Sequence, residues 1–258
     1  MLEPVLLESL QGEAVIDVAC GHSHALALTA SGRLLSWGNA MEGRLGIGEG
    51  RLGIGATERK GVPVQYRRYF PYPSGIPQFD PSMPQGLPPV PLAVLPSALR
   101  VLQICCGASH CLALTAGTVF PVFSWGSGSG GKLGHGDNKN RLTPTPVAAL
   151  EKESVLQVGC GTWHSACIVE VAPLRDCGLV FTWGTGMLGQ LGLGDTAHAA
   201  PLPLEVPGLV ELGIAATHLS CGPTHNAIIT NEGDMYTWGS NKYGCLGANV
   251  SDEYVAHP

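Results

Sequence analysis

The sequence has few charged residues, and acidic residues outnumber basic ones. Only 13% of its 258 residues are Asp, Glu, Lys or Arg, and the formal net charge is −6. Because a negative surface repels the phosphate backbone, direct DNA binding is not expected. Long apolar runs are also missing, since no stretch approaches the roughly 20 residues of a membrane helix. Glutamates interrupt the first 15 residues, so no secretory leader is predicted.

The cysteines do not form an obvious disulfide framework. There are nine of them, an odd number, and four recur at one equivalent place of a repeated motif. Recurrence of this kind indicates reduced thiols buried in the fold, which are typical of reducing compartments. We therefore expect a cytoplasmic or nuclear protein.

One motif is present four times. Each copy reads Cys-Gly, two residues, His, an apolar run, then Ser/Thr-Trp-Gly and finally Leu-Gly. In every copy the Leu follows the Trp by eight residues, and a glycine follows it by six. The structural positions of the repeat are Cys20, His24, Trp37, Cys106, His110, Trp125, Cys160, His164, Trp183, Cys221, His225 and Trp238.

The repeat predicts an all-β fold. Apolar runs of four to seven residues between Gly, Asn and Ser turns are typical of strands, and each unit holds three or four of them. One such sheet cannot bury both faces alone, so the sheets must stack, and radial stacking makes a β-propeller. We expect one propeller domain over 1–258, with repeats near 14–55, 98–147, 152–206 and 209–258. A Pro-rich insertion loop is predicted at 56–97, because proline cannot pair within a central strand.

The pattern over residues 101–137 and 155–195 resembles the regulator-of-chromosome-condensation repeat. That resemblance implies a seven-bladed propeller, so four copies predict an incomplete ring. We expect a piece of a longer protein, and the alternative is an open arc that closes with another chain. A WD-type propeller is the alternative, but the chain has no Trp-Asp pair.

Several residue patterns invite a chemical interpretation that their context does not support. The four Cys-x-x-x-His pairs have the ligand types of zinc, but they lie in different blades. The stretch 126–132 resembles a phosphate loop, but no helix follows it. Asp137 and Asp195 end equivalent turns, and Ser165 adjoins His164 on a strand, where neighbouring side chains point to opposite faces. We therefore predict no catalytic residue, no metal and no cofactor.

The insertion carries the candidate partner-binding residues. Aromatic and cationic side chains are typical of interface hot spots, and five of them are consecutive: Tyr66, Arg67, Arg68, Tyr69 and Phe70. The alternative is a solvated loop that acts only as a spacer.

The resemblance implies a protein–protein interaction scaffold, because members of the family serve mostly for docking. Two alternatives stay open: a guanine nucleotide exchange factor for a small GTPase such as Ran, and a substrate-docking propeller of a ubiquitin ligase. The expected partners are other proteins, among them a small GTPase or a ubiquitin-pathway component. No exchange-factor residues of the family can be matched to positions of this sequence.

Overall fold

Four antiparallel sheets follow one another along the chain. The computed structural model describes residues 6–39, 41–46, 87–91 (backbone only), 99–117, 119–172, 176–195, 197–247 and 252–258. We call the sheets blades one to four. Blade one contains β1 Val15–Cys20, β2 His24–Thr29, β3 Leu34–Gly38 and β4 Leu87–Pro91. Blade two contains β5 Val101–Cys106, β6 His110–Thr115, β7 Val122–Gly126 and β8 Arg141–Pro146. Blade three contains β9 Val155–Cys160, β10 His164–Glu170, β11 Gly178–Thr185 and β12 Ala199–Glu205. Blade four contains β13 Ala216–Cys221, β14 His225–Thr230, β15 Met235–Ser240 and β16 Tyr254–Val255.

The helices are short and connect strands. One α-helix, α1 Pro207–Glu211, links blade three to blade four. The single 3-10 turns are Glu8–Leu10, Met41–Gly43, Ser129–Gly131, Ala148–Leu150 and Lys242–Gly244. No helix among the described residues has the length and apolar character needed to cross a membrane.

Within each blade the strands pair in chain order, so that every blade is an antiparallel meander. The first strands of successive blades contact one another, and one backbone pair, Gly178 with Ala216, links blades three and four directly. The fold is therefore an all-β, incomplete propeller.

The fourth strands correct the prediction of a loop over 56–97. The backbone of Leu87–Pro91, within that segment, pairs with β3 as the outer strand of blade one. Blades two and three likewise have prolines in their outer strands, at Pro144, Pro146, Pro201 and Pro203. An outer strand has one edge unpaired, so it tolerates residues that lack an N–H. Proline is unfavourable in a central strand but is compatible with an outer strand, and residues 87–91 form such a strand.

The core lies between blades. Three clusters of buried apolar side chains join blade one to two, two to three and three to four. Each cluster has at its centre the tryptophan of the later blade, Trp125, Trp183 or Trp238, and each indole is fully buried. The stability of a blade therefore depends on its neighbour, as in other repeat proteins.

The four blades form an arc, whose two outer faces are the free side of blade one and the free side of blade four. These faces expose residues whose equivalents are buried in blade two. In blade one, Val18 is 62% exposed, whereas the equivalent Ile104 is buried, and Trp37 is partly buried, whereas the equivalent Trp125 is fully buried. In blade four, Met235 is 67% exposed, whereas the equivalent Val122 is fully buried. The open faces thus carry the same apolar pattern as the junctions.

The glycines of the repeat have conformational reasons. The glycine directly after each motif tryptophan has φ between +102° and +108°. The glycine six residues after the same tryptophan has φ between +71° and +80°. Side chains with a Cβ are strained in this region, so the loop after each third strand requires glycine.

Candidate functional site

A polar contact is repeated at each of the three junctions. The motif histidine of one blade places its Nε2 against the side chain that follows the motif histidine of the next blade. The pairs are His24 with Cys111 at 3.1 Å, His110 with Ser165 at 2.9 Å, and His164 with Asn226 at 2.8 Å.

A backbone carbonyl of the earlier blade completes the contact. At the second junction the carbonyl of Lys132 accepts from Ser165 Oγ at 2.8 Å and from Trp183 Nε1 at 3.0 Å. Because the Ser165 hydroxyl donates its only proton to that carbonyl, it accepts from His110, which therefore carries its proton on Nε2. At the third junction, Asn226 donates to the carbonyl of Gln190 and accepts from His164 in the same way.

The glycine of each Cys-Gly pair makes room for this histidine. A Cβ built on Gly161 would overlap the imidazole of His164 and lie 2.8 Å from the carbonyl oxygen of Gly222 in the next blade. The spacing Cys-Gly-x-x-His is therefore a packing motif, in which the ring lies against a residue without a side chain.

The His110–Ser165 pair does not form a nucleophile and its base. His110 donates to Ser165 instead of accepting its proton, and both residues are fully buried. Burial and the nearby Lys132 cation hold the pKa of His110 well below its usual range, and burial lowers the pKa of His164 to about 4. His164 and Ser165 themselves contact blades four and two, on opposite faces of the strand.

The first junction differs chemically from the other two, because a thiol takes the place of Ser165 and Asn226. Cys111 Sγ lies 3.7 Å from Cys106 Sγ, and a ligand atom of each of His24, Cys106 and Cys111 lies within 4.8 Å of the others. The hydrogen bond with Cys111 lowers the pKa of Cys106 to about 6 against the effect of burial, whereas burial raises the pKa of Cys111. The grouping joins residues of two blades, so the Cys-His pairs within single repeats do not reveal it.

A second pair of thiols lies between blades two and three. Cys105 Sγ and Cys160 Sγ are 2.9 Å apart, and burial raises the pKa of Cys160. Both cysteines are free thiols in the structure.

The glycine-rich stretch that resembled a phosphate loop holds its own lysine. Lys132 is fully buried and donates through Nζ to Ser127 Oγ at 3.2 Å and to the Ser129 carbonyl at 2.9 Å. Its ammonium also lies 5.5 Å from the centre of the Trp163 ring, and burial lowers its pKa to about 8. Lys132 therefore supports the loop and the Trp163 ring from within. The turn residue Asp137 pairs with Arg141 at 3.0 Å.

One face of the arc combines two sets of loops. In every blade, the loop between the first and second strands lies beside the loop between the third and fourth strands. A backbone hydrogen bond joins the two loops, and in blade three Thr185 N donates to the Trp163 carbonyl at 2.9 Å. We call this the loop face. It presents Met187 at 70% exposure, Trp163 at 41% and Tyr243 at 93%.

Tyr243 also has an unusual backbone. Its φ is +65°, a left-handed conformation that is rare for a bulky side chain, and Lys242 Nζ lies 5.1 Å from its ring centre. Glu42 and Gly130, at the equivalent positions of blades one and two, have φ values of +59° and +74°, so the conformation belongs to the repeat, and Tyr243 differs in presenting a 93% exposed aromatic ring. Sequence analysis missed Trp163 and Tyr243. The signal for Trp163 was its position, since it is the one tryptophan of five outside Trp-Gly.

The predicted partner-binding residues, Tyr66, Arg67, Arg68, Tyr69 and Phe70, lie outside the described residues, and their role stays a prediction. The described residues before and after this segment are Gly46 and Leu87, and Leu87 pairs with Gly38. Both attachment points belong to the connection between the third and fourth strands, on the loop face.

The comparisons with known proteins agree with the repeat pattern. The family described as the RCC1-like domain matches residues 1–258. The chain belongs to this family. It is 32% identical over 245 residues to the human E3 ubiquitin-protein ligase HERC2, covering 95% of this chain and 4% of HERC2. It is 30% identical over 233 residues to the ultraviolet-B receptor UVR8 of Arabidopsis thaliana, covering 90% of this chain and 43% of the receptor.

Solved structures of RCC1-like propellers share the fold. Prp20p from Saccharomyces cerevisiae, studied for its binding to Gsp1p and histones, superposes with a TM-score of 0.65 at 22% identity over 95% of this chain and 49% of its own. Human WBSCR16 gives 0.65 at 24% identity over 95% and 53%. The chain thus spans about half of these structures and less than half of the curated relatives above.

Proposed function

We propose that this RCC1-like domain docks other proteins through its loop face. The proposal rests on two exposed aromatic side chains, Trp163 and Tyr243. The loops of this face contain glycines with positive φ that fix the course of the backbone. Trp and Tyr dominate the binding energy of protein interfaces because they bury large areas at little conformational cost. The rest of the fold acts as a rigid scaffold for those loops.

The relatives support a more specific version. HERC2 is named as a ubiquitin ligase, and 95% of this chain aligns with it at 32% identity. We therefore propose that the docked partner is a substrate or component of the ubiquitin pathway, and that the protein acts in the cytoplasm or nucleus. The non-catalytic docking role does not require reacting groups within the domain.

A docking face predicts a strong effect of the aromatic side chains. A cross-linking amino acid in place of Met187, which is 70% exposed on the loop face, identifies the partner, and calorimetry with that purified partner then measures affinity. Trp163→Ala and Tyr243→Ala should each weaken binding by about 30-fold, the equivalent of about 2 kcal/mol for a hot-spot residue.

Leu212→Ala is the matched control. Leu212 follows α1 in a connection between blades, on the face opposite the loops, and is 63% exposed. Its replacement should leave affinity unchanged, and all three variants should still unfold cooperatively above the temperature of the binding assay. Equal affinity of Trp163→Ala and the parent chain would exclude the loop face as the docking surface.

Guanine nucleotide exchange is the competing function. Prp20p, the solved propeller studied for its binding to Gsp1p, is only 22% identical to this chain, so it supports the fold alone. We expect catalytic amounts of the chain to leave the release of a fluorescent guanine nucleotide from Ran unchanged. Acceleration of release would replace the docking proposal with exchange activity.

A further inference from the structure

Three positions meet wherever two blades join. The repeat places the cysteine of Cys-Gly opposite the residue that follows the motif histidine, as Cα partners on neighbouring strands: Cys106 with Cys111, Cys160 with Ser165, Cys221 with Asn226. The histidine of the preceding blade then contacts the second member of each pair. Every junction therefore brings together a histidine, a cysteine and one variable residue.

Only at the first of the three described junctions is the variable residue also a metal ligand. Ser165 and Asn226 occupy it at the second and third junctions, where a single thiol is present in the triad. At the first junction Cys111 adds a second thiol, and the set becomes one imidazole and two thiols. This is a preferred ligand set of zinc, and it resembles the Cys₂His sites of zinc enzymes.

The distances suit the same ion. Two thiolates bound to one tetrahedral zinc at about 2.3 Å each lie about 3.7 Å apart. Cys106 Sγ and Cys111 Sγ are 3.7 Å apart, and His24 Nε2 is 3.1 Å from Cys111 Sγ. A small movement of the imidazole, which lies against Gly21 and not against a bulky side chain, brings the third ligand into place.

We propose that His24, Cys106 and Cys111 bind one zinc ion between blades one and two. Zinc with two thiolates and a neutral imidazole has no net charge, so a buried position is acceptable. The fourth position is available to water or to the Arg44 carbonyl, which lies 3.4 Å from Cys111 Sγ. Cys106 is only partly buried, whereas His24 and Cys111 are buried. The ion joins His24 of blade one to Cys106 and Cys111 of blade two through coordinate bonds, whereas the other junctions use a hydrogen bond.

Cobalt(II) tests this proposal, because thiolate ligands give it a charge-transfer band in the near ultraviolet. The purified chain, kept reduced by a phosphine, should bind one Co²⁺ with this band, and one equivalent of Zn²⁺ should abolish it. Zn²⁺ should also raise the melting temperature. Absence of the thiolate band from the folded parent chain would overturn the proposal.

The neighbouring junction supplies the matched variant. Cys111→Ser gives the first junction the side chain of the second, where Ser165 keeps the hydrogen bond to histidine. It should fold without metal like the parent chain and bind Co²⁺ roughly 100-fold more weakly. Cys106→Ser provides a second loss variant. Cys245→Ser, which removes an exposed thiol in blade four, should leave the band unchanged.

The repeat also allows a gain of binding. Ser165→Cys gives the second junction the same three ligand types, namely His110, Cys160 and the new thiol. A second equivalent of Co²⁺ with a thiolate band is expected. A Cys111→Ser protein that binds as tightly as the parent chain, or a folded Ser165→Cys protein without the second equivalent, would show that the junction geometry does not build the site.

Discussion

Trp183→Ala is expected to lower the free energy of unfolding by about 3–5 kcal/mol, the usual range for removing a fully buried aromatic side chain. Trp183 is 0% exposed and lies in the cluster that joins blades two and three, against Leu112, Leu114 and Val122. Its Nε1 also donates to the Lys132 carbonyl across the junction. The substitution therefore opens a cavity at the contact on which both blades depend. Urea unfolding monitored by circular dichroism measures the loss.

Trp37 is the internal control for this prediction. It occupies the same repeat position and pairs with Ala25 across its blade, but it is only partly buried. Trp37→Ala should lower stability by a smaller amount, about 2–3 kcal/mol, because part of the indole is already in contact with solvent. If the two substitutions were equally harmful, the stabilising role of the tryptophan would lie within its own blade and not at the junction.

The blades could be predicted from sequence because the repeated residues are ones that the backbone conformation or the packing requires. Glycine is required at left-handed positions, tryptophan fills the junction, and alternating apolar runs make strands, so all four copies carry the same signals. The strand Leu87–Pro91 escaped prediction because proline composition was interpreted as a loop signal, whereas an outer strand accepts proline on its free edge.

The site residues were harder to predict because they occupy variable positions. Cys111, Ser165 and Asn226 share one place in the repeat but no chemical type, so comparison of the copies gives no sign that this place contacts a histidine of another blade. Trp163 likewise replaces a small polar residue of the other copies, and Tyr243 shares its place with Glu42, Gly130 and Leu188. Their importance becomes visible only when exposure and backbone conformation are known.

Contacts across blades also require knowledge of how neighbouring sheets stack. Cys106 and His24 are 82 residues apart in sequence, and nothing in their own repeats distinguishes them from the other Cys-His pairs. The stacking of blade two on blade one brings them together, and the identity of one further residue, Cys111, decides the chemistry of that place.

Acidification is expected to destabilise the propeller between pH 6.5 and about pH 4. His164 is buried, which lowers its pKa to about 4 in the folded protein, whereas in the unfolded chain its pKa is about 6.5. A depressed folded pKa means that the unfolded state takes up protons first. The contribution to stability is thus complete above pH 6.5 and is lost as the pH falls towards 4.

The loss from His164 alone should reach about 3 kcal/mol at pH 4. His110, whose pKa burial also lowers, acts in the same direction. His135 adds to the effect, since partial burial lowers its pKa to about 4. Unfolding midpoints in urea at pH 8, 6.5, 5 and 4 should therefore fall steeply across this range.

His164→Gln separates the histidine from the carboxylates that also titrate in acid. The glutamine amide can still donate to Asn226 Oδ1, as His164 does at 2.8 Å, but it takes up no proton in this range. The variant should be less stable than the parent chain at pH 8 and should lose less of its stability on acidification. In the closed junction His164 carries its proton on Nε2, and its Nδ1 is unprotonated. Parallel pH profiles of the two proteins would mean that the junction tolerates a charged imidazole. In that case the acid sensitivity would have to arise outside this junction.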